Sequence, residues 1–183
     1  YFKEFKGKDV ILVIEIKSGN SAIVPALKAL LDKYDFYDQS YVITFNGSQL
    51  INMMKHIPEV PTGYLTAAKY SESGALKELL TNVGNFNASY NPRYSTEYDA
   101  EYIRDTMFRG VTTRPWTIDD KPTFFSAIKD GHAAVTTNYC QWTADMIEEI
   151  FFNDIDVSKC YPGSEVQLSI SQKTHKREIS KVN

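Results

Sequence analysis

Cysteine is scarce, with Cys140 and Cys160 the two in 183 residues, so neither a disulfide framework nor a structural zinc site can be built and the redox compartment stays open. Long apolar runs are missing too. The longest, Val10 to Ile16, already contains Glu15 and falls far short of the roughly 20 residues a spanning helix needs. Positive charge is not in excess: 20 basic against 23 acidic side chains leave a formal charge of −3 and a pI near 5.6. That balance argues against a nucleic-acid or anionic-membrane surface, and the one basic cluster, Lys173 to Arg177, lies in the tail. No Gly-x-Gly-x-x-Gly and no Walker sequence occurs, so dinucleotide and P-loop chemistry have no support. The chain opens on Tyr1 without Met, signal peptide or tag, and reads as a piece cut from a longer protein. What is present, 43% hydrophobic and 13% aromatic residues, is the composition of one globular domain with a real core, which excludes a disordered or fibrous chain.

Strand and helix patterns alternate along this chain. Val10 to Lys17 (VILVIEIK) is β-branched and apolar on both parities until its end, as in a parallel strand covered on both faces. After the turn Ser18 to Ser21, residues Ile23, Leu27, Leu30, Leu31 and Tyr34 recur at helical spacing with Pro25 in the first turn. Tyr41 to Phe45 predicts the next strand, Gln49 to His56 a helix and Val60 to Leu65 a short strand. A short helical stretch to Leu80, preceded by Ser73 and Gly74, a strand over Asn82 to Phe86 and a polar loop over Asn87 to Thr96 follow. Then come a helix at Tyr98 to Arg109, a strand at Val111 to Thr117, a helix at Pro122 to Lys129 stopped by Gly131, a strand at Ala133 to Thr137 and a helix at Thr143 to Phe151. Strand starts about 20 to 30 residues apart suit crossover helices between parallel neighbours. Six such units mean an α/β fold, and so many units of one kind favour a barrel over an open sheet. Pro162 and Gly163 then break the pattern, and Val166, Leu168 and Ile170 alternate with polar residues as in an antiparallel strand. The expected domains are therefore 1–160 and a tail, or start of a β module, at 161–183.

Chemistry is expected where strands end, because the loops that follow parallel strands of a barrel converge on one mouth. Glu15 and Lys17, two residues apart at the end of an apolar strand, share one strand face, while Ile14 and Ile16 face the helices. A carboxylate there can bind a hard divalent cation, and the ammonium can meet a phosphate oxygen. A salt-bridged pair at the strand mouth is the alternative.

The segments LVIEIK at 12–17, ITF at 43–45, RPWTIDD at 114–120 and DGHAAVTTNY at 130–139 resemble, in order and spacing, the glycerophosphodiester phosphodiesterases. The resemblance covers about residues 1 to 160 and implies an incomplete TIM barrel, strands three to eight of a (β/α)8 domain. It implies a metal-dependent hydrolysis of small-molecule glycerophosphodiesters to an alcohol and glycerol phosphate. Glu15 would be a ligand of Ca2+ or Mg2+, Lys17 a contact to the phosphodiester, Trp116 a pocket wall on the glycerol or leaving-group side, and Phe45 a substrate contact. Trp116 as an aromatic lid over the core and Phe45 as plain packing stay open. Thr44 stands where the family commonly has Ser, Asn138 where it has Asp and Cys140 where it has Pro.

The motifs of the family's first two strands, His-Arg-Gly, Glu-x-Asp and His-Asp, whose two histidines move protons, have no counterpart here ahead of Glu15. His56 and His132 should lie at the barrel end opposite the mouth, and His175 in the tail. Cys140 reads as a structural cysteine, Asp119 and Asp120 as acids at a helix cap, and Glu97, Asp99 and Glu101 as a solvated helix start. Ser18, Ser21 and Ser48 lack a His and acid beside them for nucleophilic chemistry. Asn46-Gly-Ser and Asn87-Ala-Ser match glycosylation sequons. The chain alone is expected to be inactive, and its exposed barrel edges to drive a homodimer, swapping or pairing with the tail. A noncatalytic head-group or glycan-binding barrel, and a lyase of sphingomyelinase type, are the competing functions. The trailing β segment suggests an extracellular or cell-surface setting.

Overall fold

A computed structural model describes residues 1–67, 80–81, 83–144, 146–153, 169–174 and 179–181. The chain divides into two compact units, Tyr1–Thr137 and Asn138–Asn183. The boundary expected after residue 160 lies outside the described residues.

In the first unit a short helix α1 (Phe2–Phe5) precedes β1 (Leu12–Glu15), α2 (Ile23–Tyr34), β2 (Ser40–Thr44), α3 (Gly47–His56), β3 (Thr62–Thr66), β4 (Ala88–Pro92), α4 (Ala100–Phe108) and α5 (Lys121–Asp130). The four strands form one parallel sheet in the order β1-β2-β3-β4, with Ile14 opposite Val42, Val42 opposite Thr62 and Thr62 opposite Ala88. Two further extended segments continue the sheet. Parallel bridges join Tyr90 to Thr113 and Arg93 to Trp116, and the next segment is tied on where Ala133 N donates to Thr113 O at 2.9 Å and Thr136 N to Pro115 O at 2.9 Å. Six parallel segments thus lie side by side and the sheet does not close, the architecture of an incomplete barrel.

Core placement follows strand parity. Ile16, Val42, Val24, Leu27, Leu31, Phe36, Met53 and Ile57 form one buried cluster, with Leu12 and Ile14 packed against it. The even-numbered side chains of β1 therefore face the helices, as the spacing predicts. A second cluster of Leu50, Leu80, Val83, Ala88, Tyr90 and Val111 lies under the following helices. Helix ends are set by ordinary caps: Asn46 accepts from Ser48 N, Asp99 from Tyr102 N and Asp120 from Thr123 N. Gly131, at φ +101°, closes α5 in the left-handed conformation that glycine adopts without penalty.

Two predicted elements are corrected. The strand expected at Asn82 to Phe86 is displaced: residues 83–85 are helical, and the strand is β4, inside the stretch read as a polar loop. Its Ser89 and Asn91 are buried, and polar residues inside the sheet erased the apolar pattern that marks a strand. The helix expected at Thr143 to Phe151 is a 3-10 turn at Cys140–Thr143 followed by β5 (Ile147–Phe152). In this second unit β5 pairs antiparallel with β6 (Ile170–Thr174), which pairs antiparallel with β7 (Ile179–Lys181). Cross-strand pairing decides what an apolar run of this length becomes. The short helix expected before Leu80 and the alternation at Val166 to Leu168 fall outside the described residues.

Candidate functional site

The C-terminal ends of the parallel segments open on a cavity of about 430 Å³ within the first unit. Its lining includes Glu15 and Lys17 from the end of β1, Phe45 after β2 and Trp116. All four site residues expected from the sequence are brought together. Lys17 Nζ lies 3.7 Å from Glu15 Oε2, with 81% and 32% of the two side chains exposed. That separation is beyond hydrogen-bond distance, so the pair is a loose, solvated contact of small energetic weight and both groups remain available to a ligand. Phe45 and Trp116 meet edge to face, ring centroids 5.7 Å apart, and Trp116 Nε1 donates to Asn91 O at 2.8 Å. That bond fixes the indole at the cavity wall.

The wall below the mouth is polar, which the sequence did not disclose. Asn91 Nδ2 donates to the Tyr41 hydroxyl at 3.1 Å, the Tyr41 and Ser89 hydroxyls are 2.5 Å apart, and Ser89 Oγ donates to Asn91 Oδ1 at 2.6 Å. With Tyr41 donating to Ser89, each hydroxyl gives one bond and receives one, a closed ring that satisfies these buried groups. Arg114 lies against the Tyr41 ring, its guanidinium carbon 4.8 Å from the centroid. Tyr41 shares the parity of Phe45, and Arg114 precedes Trp116 by two residues. The rule that pairs Glu15 with Lys17 could have found both.

The loop that follows Lys17 is held from beneath. Thr44 Oγ1, fully buried, donates to Ile16 O at 2.8 Å and accepts from Asn46 N at 3.0 Å. Gln49, also fully buried, donates through Nε2 to Ser18 O at 2.8 Å and Asn20 O at 3.0 Å. Gln49→Leu should cost about 1 to 2 kcal/mol, two neutral hydrogen bonds, and speed amide exchange at residues 18–21. Urea denaturation with hydrogen exchange checks this; unchanged protection there would show that the loop is held otherwise.

Neither of the two described histidines takes part. His132 is buried, its Nδ1 2.8 Å from Thr113 Oγ1, and burial pushes its pKa down to about 4 despite the nearby Asp130 charge and the Tyr98 backbone. Neither His132 nor His56, at the end of α3, lines the cavity; His175 is outside the described residues. Asp120 is a cap, its carboxyl held below the usual range by hydrogen bonds from the Thr123 hydroxyl and backbone. Cys140 is exposed, in the second unit, and is not the packed structural cysteine expected; Cys160 lies outside the described residues.

Among the described residues no group of three or more His, Cys, Asp and Glu could hold a metal ion. Ca2+ takes six to eight oxygen ligands and Mg2+ six. Among the described residues Glu15 is the one carboxylate lining the cavity, with an ammonium beside it, so these residues do not by themselves fit a resident divalent cation. Among the described residues no helix is long and apolar enough to cross a membrane.

No family model and no curated protein matches the chain. Solved structures do. A glycerophosphodiester phosphodiesterase from Parabacteroides distasonis is 17% identical, with a TM-score of 0.64 over 77% of this chain and 59% of its own. A phosphodiesterase from Oleispira antarctica, solved with the product sn-glycerol-3-phosphate, is 19% identical, with a TM-score of 0.55 over 66% of this chain and 47% of its own. A glycerophosphoryl diester phosphodiesterase from Parabacteroides distasonis is 13% identical, with a TM-score of 0.52 over 74% of this chain and 49% of its own. The chain spans about half to three fifths of the length of these proteins. It has the fold of the glycerophosphodiester phosphodiesterases, an α/β barrel present here in part.

Proposed function

We propose that this chain carries the phosphodiester-binding part of a barrel that hydrolyses glycerophosphodiesters to an alcohol and glycerol phosphate. One observation carries the reading: Glu15, Lys17, Phe45 and Trp116, from three separate segments, converge on one cavity at the C-terminal ends of parallel strands. The ammonium of Lys17 meets a phosphoryl oxygen and offsets the negative charge that grows as the diester is attacked. Phe45 and Trp116 form an apolar wall for the carbon skeleton of the alcohol. Hydrolysis also needs a base for the attacking oxygen and an acid for the leaving one, each within hydrogen-bond reach. Among the described residues no histidine lines the cavity, so in this reading the chain by itself binds the substrate and the proton-moving groups come from elsewhere in the barrel. The metal dependence expected for the reaction rests here on Glu15 alone, and a divalent site requires further carboxylates beside it.

The test is a titration of the chain with sn-glycerol 3-phosphate, read by Trp116 fluorescence in a Trp142→Phe background. Lys17→Met should weaken binding about tenfold, the loss of one charge-assisted hydrogen bond. Glu15→Gln should strengthen it in metal-free buffer, since a negative neighbour is removed. Affinity unmoved by Lys17→Met would defeat the reading. That no described histidine lines the cavity favours one second reading, a noncatalytic head-group-binding barrel. Release of choline from glycerophosphocholine by a longer chain containing these residues, lost in Glu15→Gln, would exclude it.

A further inference from the structure

Arg114 is a charged group inside the barrel for which the proposed mechanism has no use. It sits on the extended segment between the bridges at Thr113 and Trp116, where its N–H donates to Tyr90 O at 2.8 Å. Its side chain lines the cavity that Glu15, Lys17 and Trp116 also line, and two smaller ones beside it. The residue is half-buried. On the surface Arg109 finds an acid, its Nη2 3.2 Å from Asp105 Oδ2. Arg114 forms no ion pair among the described residues, and its Nε is buried without a hydrogen-bond partner. A guanidinium keeps its charge at any physiological pH, and a partly desolvated charge without a counter-ion is costly.

Its orientation is fixed all the same. The guanidinium stacks on Tyr41, and Tyr41 is anchored at its far end by the Ser89 and Asn91 ring of hydrogen bonds. A planar fork held on an aromatic platform suits a tetrahedral oxyanion, which it grips through two parallel N–H groups where an ammonium offers a point charge. Among the described residues the charges lining the cavity are Lys17 and Arg114 against Glu15, a surplus of one positive charge. That surplus matches the single negative charge of a phosphodiester.

We infer that Arg114 is a second anion-binding residue of this cavity, gripping the phosphate of the ligand from the barrel interior while Lys17 meets it from the rim. The inference rests on the phosphodiester reading of the site and adds to it a residue, a direction of approach and a preference for a singly charged phosphate group.

The experiment uses the full chain with Trp142→Phe and the probes sn-glycerol 3-phosphate and glycerophosphocholine. Arg114→Gln should weaken both at least tenfold, and Arg114→Lys, which keeps the charge and loses the fork, should recover part of that loss. Affinity within twofold of the parent in a folded Arg114→Gln chain overturns the inference. Should Arg114→Gln fail to fold by circular dichroism, the parent chain decides. Modification of Arg114 by phenylglyoxal, followed by mass spectrometry, should slow at least fivefold under saturating sn-glycerol 3-phosphate, and an unchanged rate overturns the inference. If Lys17→Met weakens binding and Arg114→Gln does not, this inference fails while the reading of the site stands. If neither variant matters, both fail.

Discussion

Gly63→Ala should destabilise the first unit by about 3 kcal/mol, the upper range for forcing atoms into a packed interior and breaking a buried hydrogen bond with them. Gly63 lies on β3 opposite Ile43 and Ser89, and a Cβ there would fall within van der Waals contact of the Tyr41 hydroxyl and 2.7 Å from Asn91 Oδ1. Neither atom is the loose end of a flexible chain. Tyr41 is 6% exposed and Asn91 5%, and both belong to the closed ring of hydrogen bonds with Ser89. The methyl must therefore break that ring or move β3. Thermal or urea denaturation measures the cost. Tyr41→Phe removes the hydroxyl that collides, so in that background Gly63→Ala should cost about 1.5 kcal/mol less, a coupling typical of residues in contact. Additivity of the two substitutions within about 0.5 kcal/mol would show that the collision is relieved elsewhere. Because Arg114 rests on the Tyr41 ring, the same substitution should also weaken phosphate binding.

This packed polar interior explains where the sequence could and could not be read. β1 announces itself because its outward residues Leu12, Ile14 and Ile16 are apolar and meet the helices, and β2 and β3 because short β-branched and aromatic runs stand there between turn signals; α2, α3, α4 and α5 do so because their buried residues recur every three or four positions. Glu15 and Lys17 stand out because charge at the end of an apolar strand has no ordinary reason to be there. β4 was hidden by the same physics acting in reverse. Its inward residues, Ser89 and Asn91, are buried among other polar groups, and a strand with polar residues on its inward face looks like a loop. Parity could place Tyr41 and Arg114 on the inward face, but their contacts were hidden by distance, since the partners lie 48 to 50 residues away or on another segment. Pairwise chemistry of that kind exists only after the strands have assembled. β5 shows a further limit: IEEIFF carries enough apolar residues for either helix or strand, and its pairing with β6 settles the matter.

The fold should also lose stability in mild acid, because of a histidine that the site does not use. His132 is 8% exposed and burial lowers its pKa from 6.5 to about 4. As pH falls through 6.5 the unfolded chain takes up a proton on this ring and the folded chain does not, so the unfolded state is favoured progressively. The stability His132 confers as a neutral group is fully present above pH 6.5 and is lost between 6.5 and about 4. The pKa difference corresponds to an effect on the order of 3 kcal/mol across that window. Carboxylates begin to titrate in the lower part of the window, so the upper part, between pH 6.5 and 5, isolates the ring. The midpoint of urea denaturation should fall steadily there in the parent chain. His132→Gln, which keeps a polar group near Thr113 without the titration, should be less stable at pH 7 and nearly flat between pH 6.5 and 5. Parallel slopes in the two chains would mean that the ring is already charged in the fold, or that water reaches it. Phosphate binding at the mouth should not follow this titration, because His132 adjoins the start of its segment, where Ala133 N bonds to Thr113 O, while the cavity is lined from Ala134 onward.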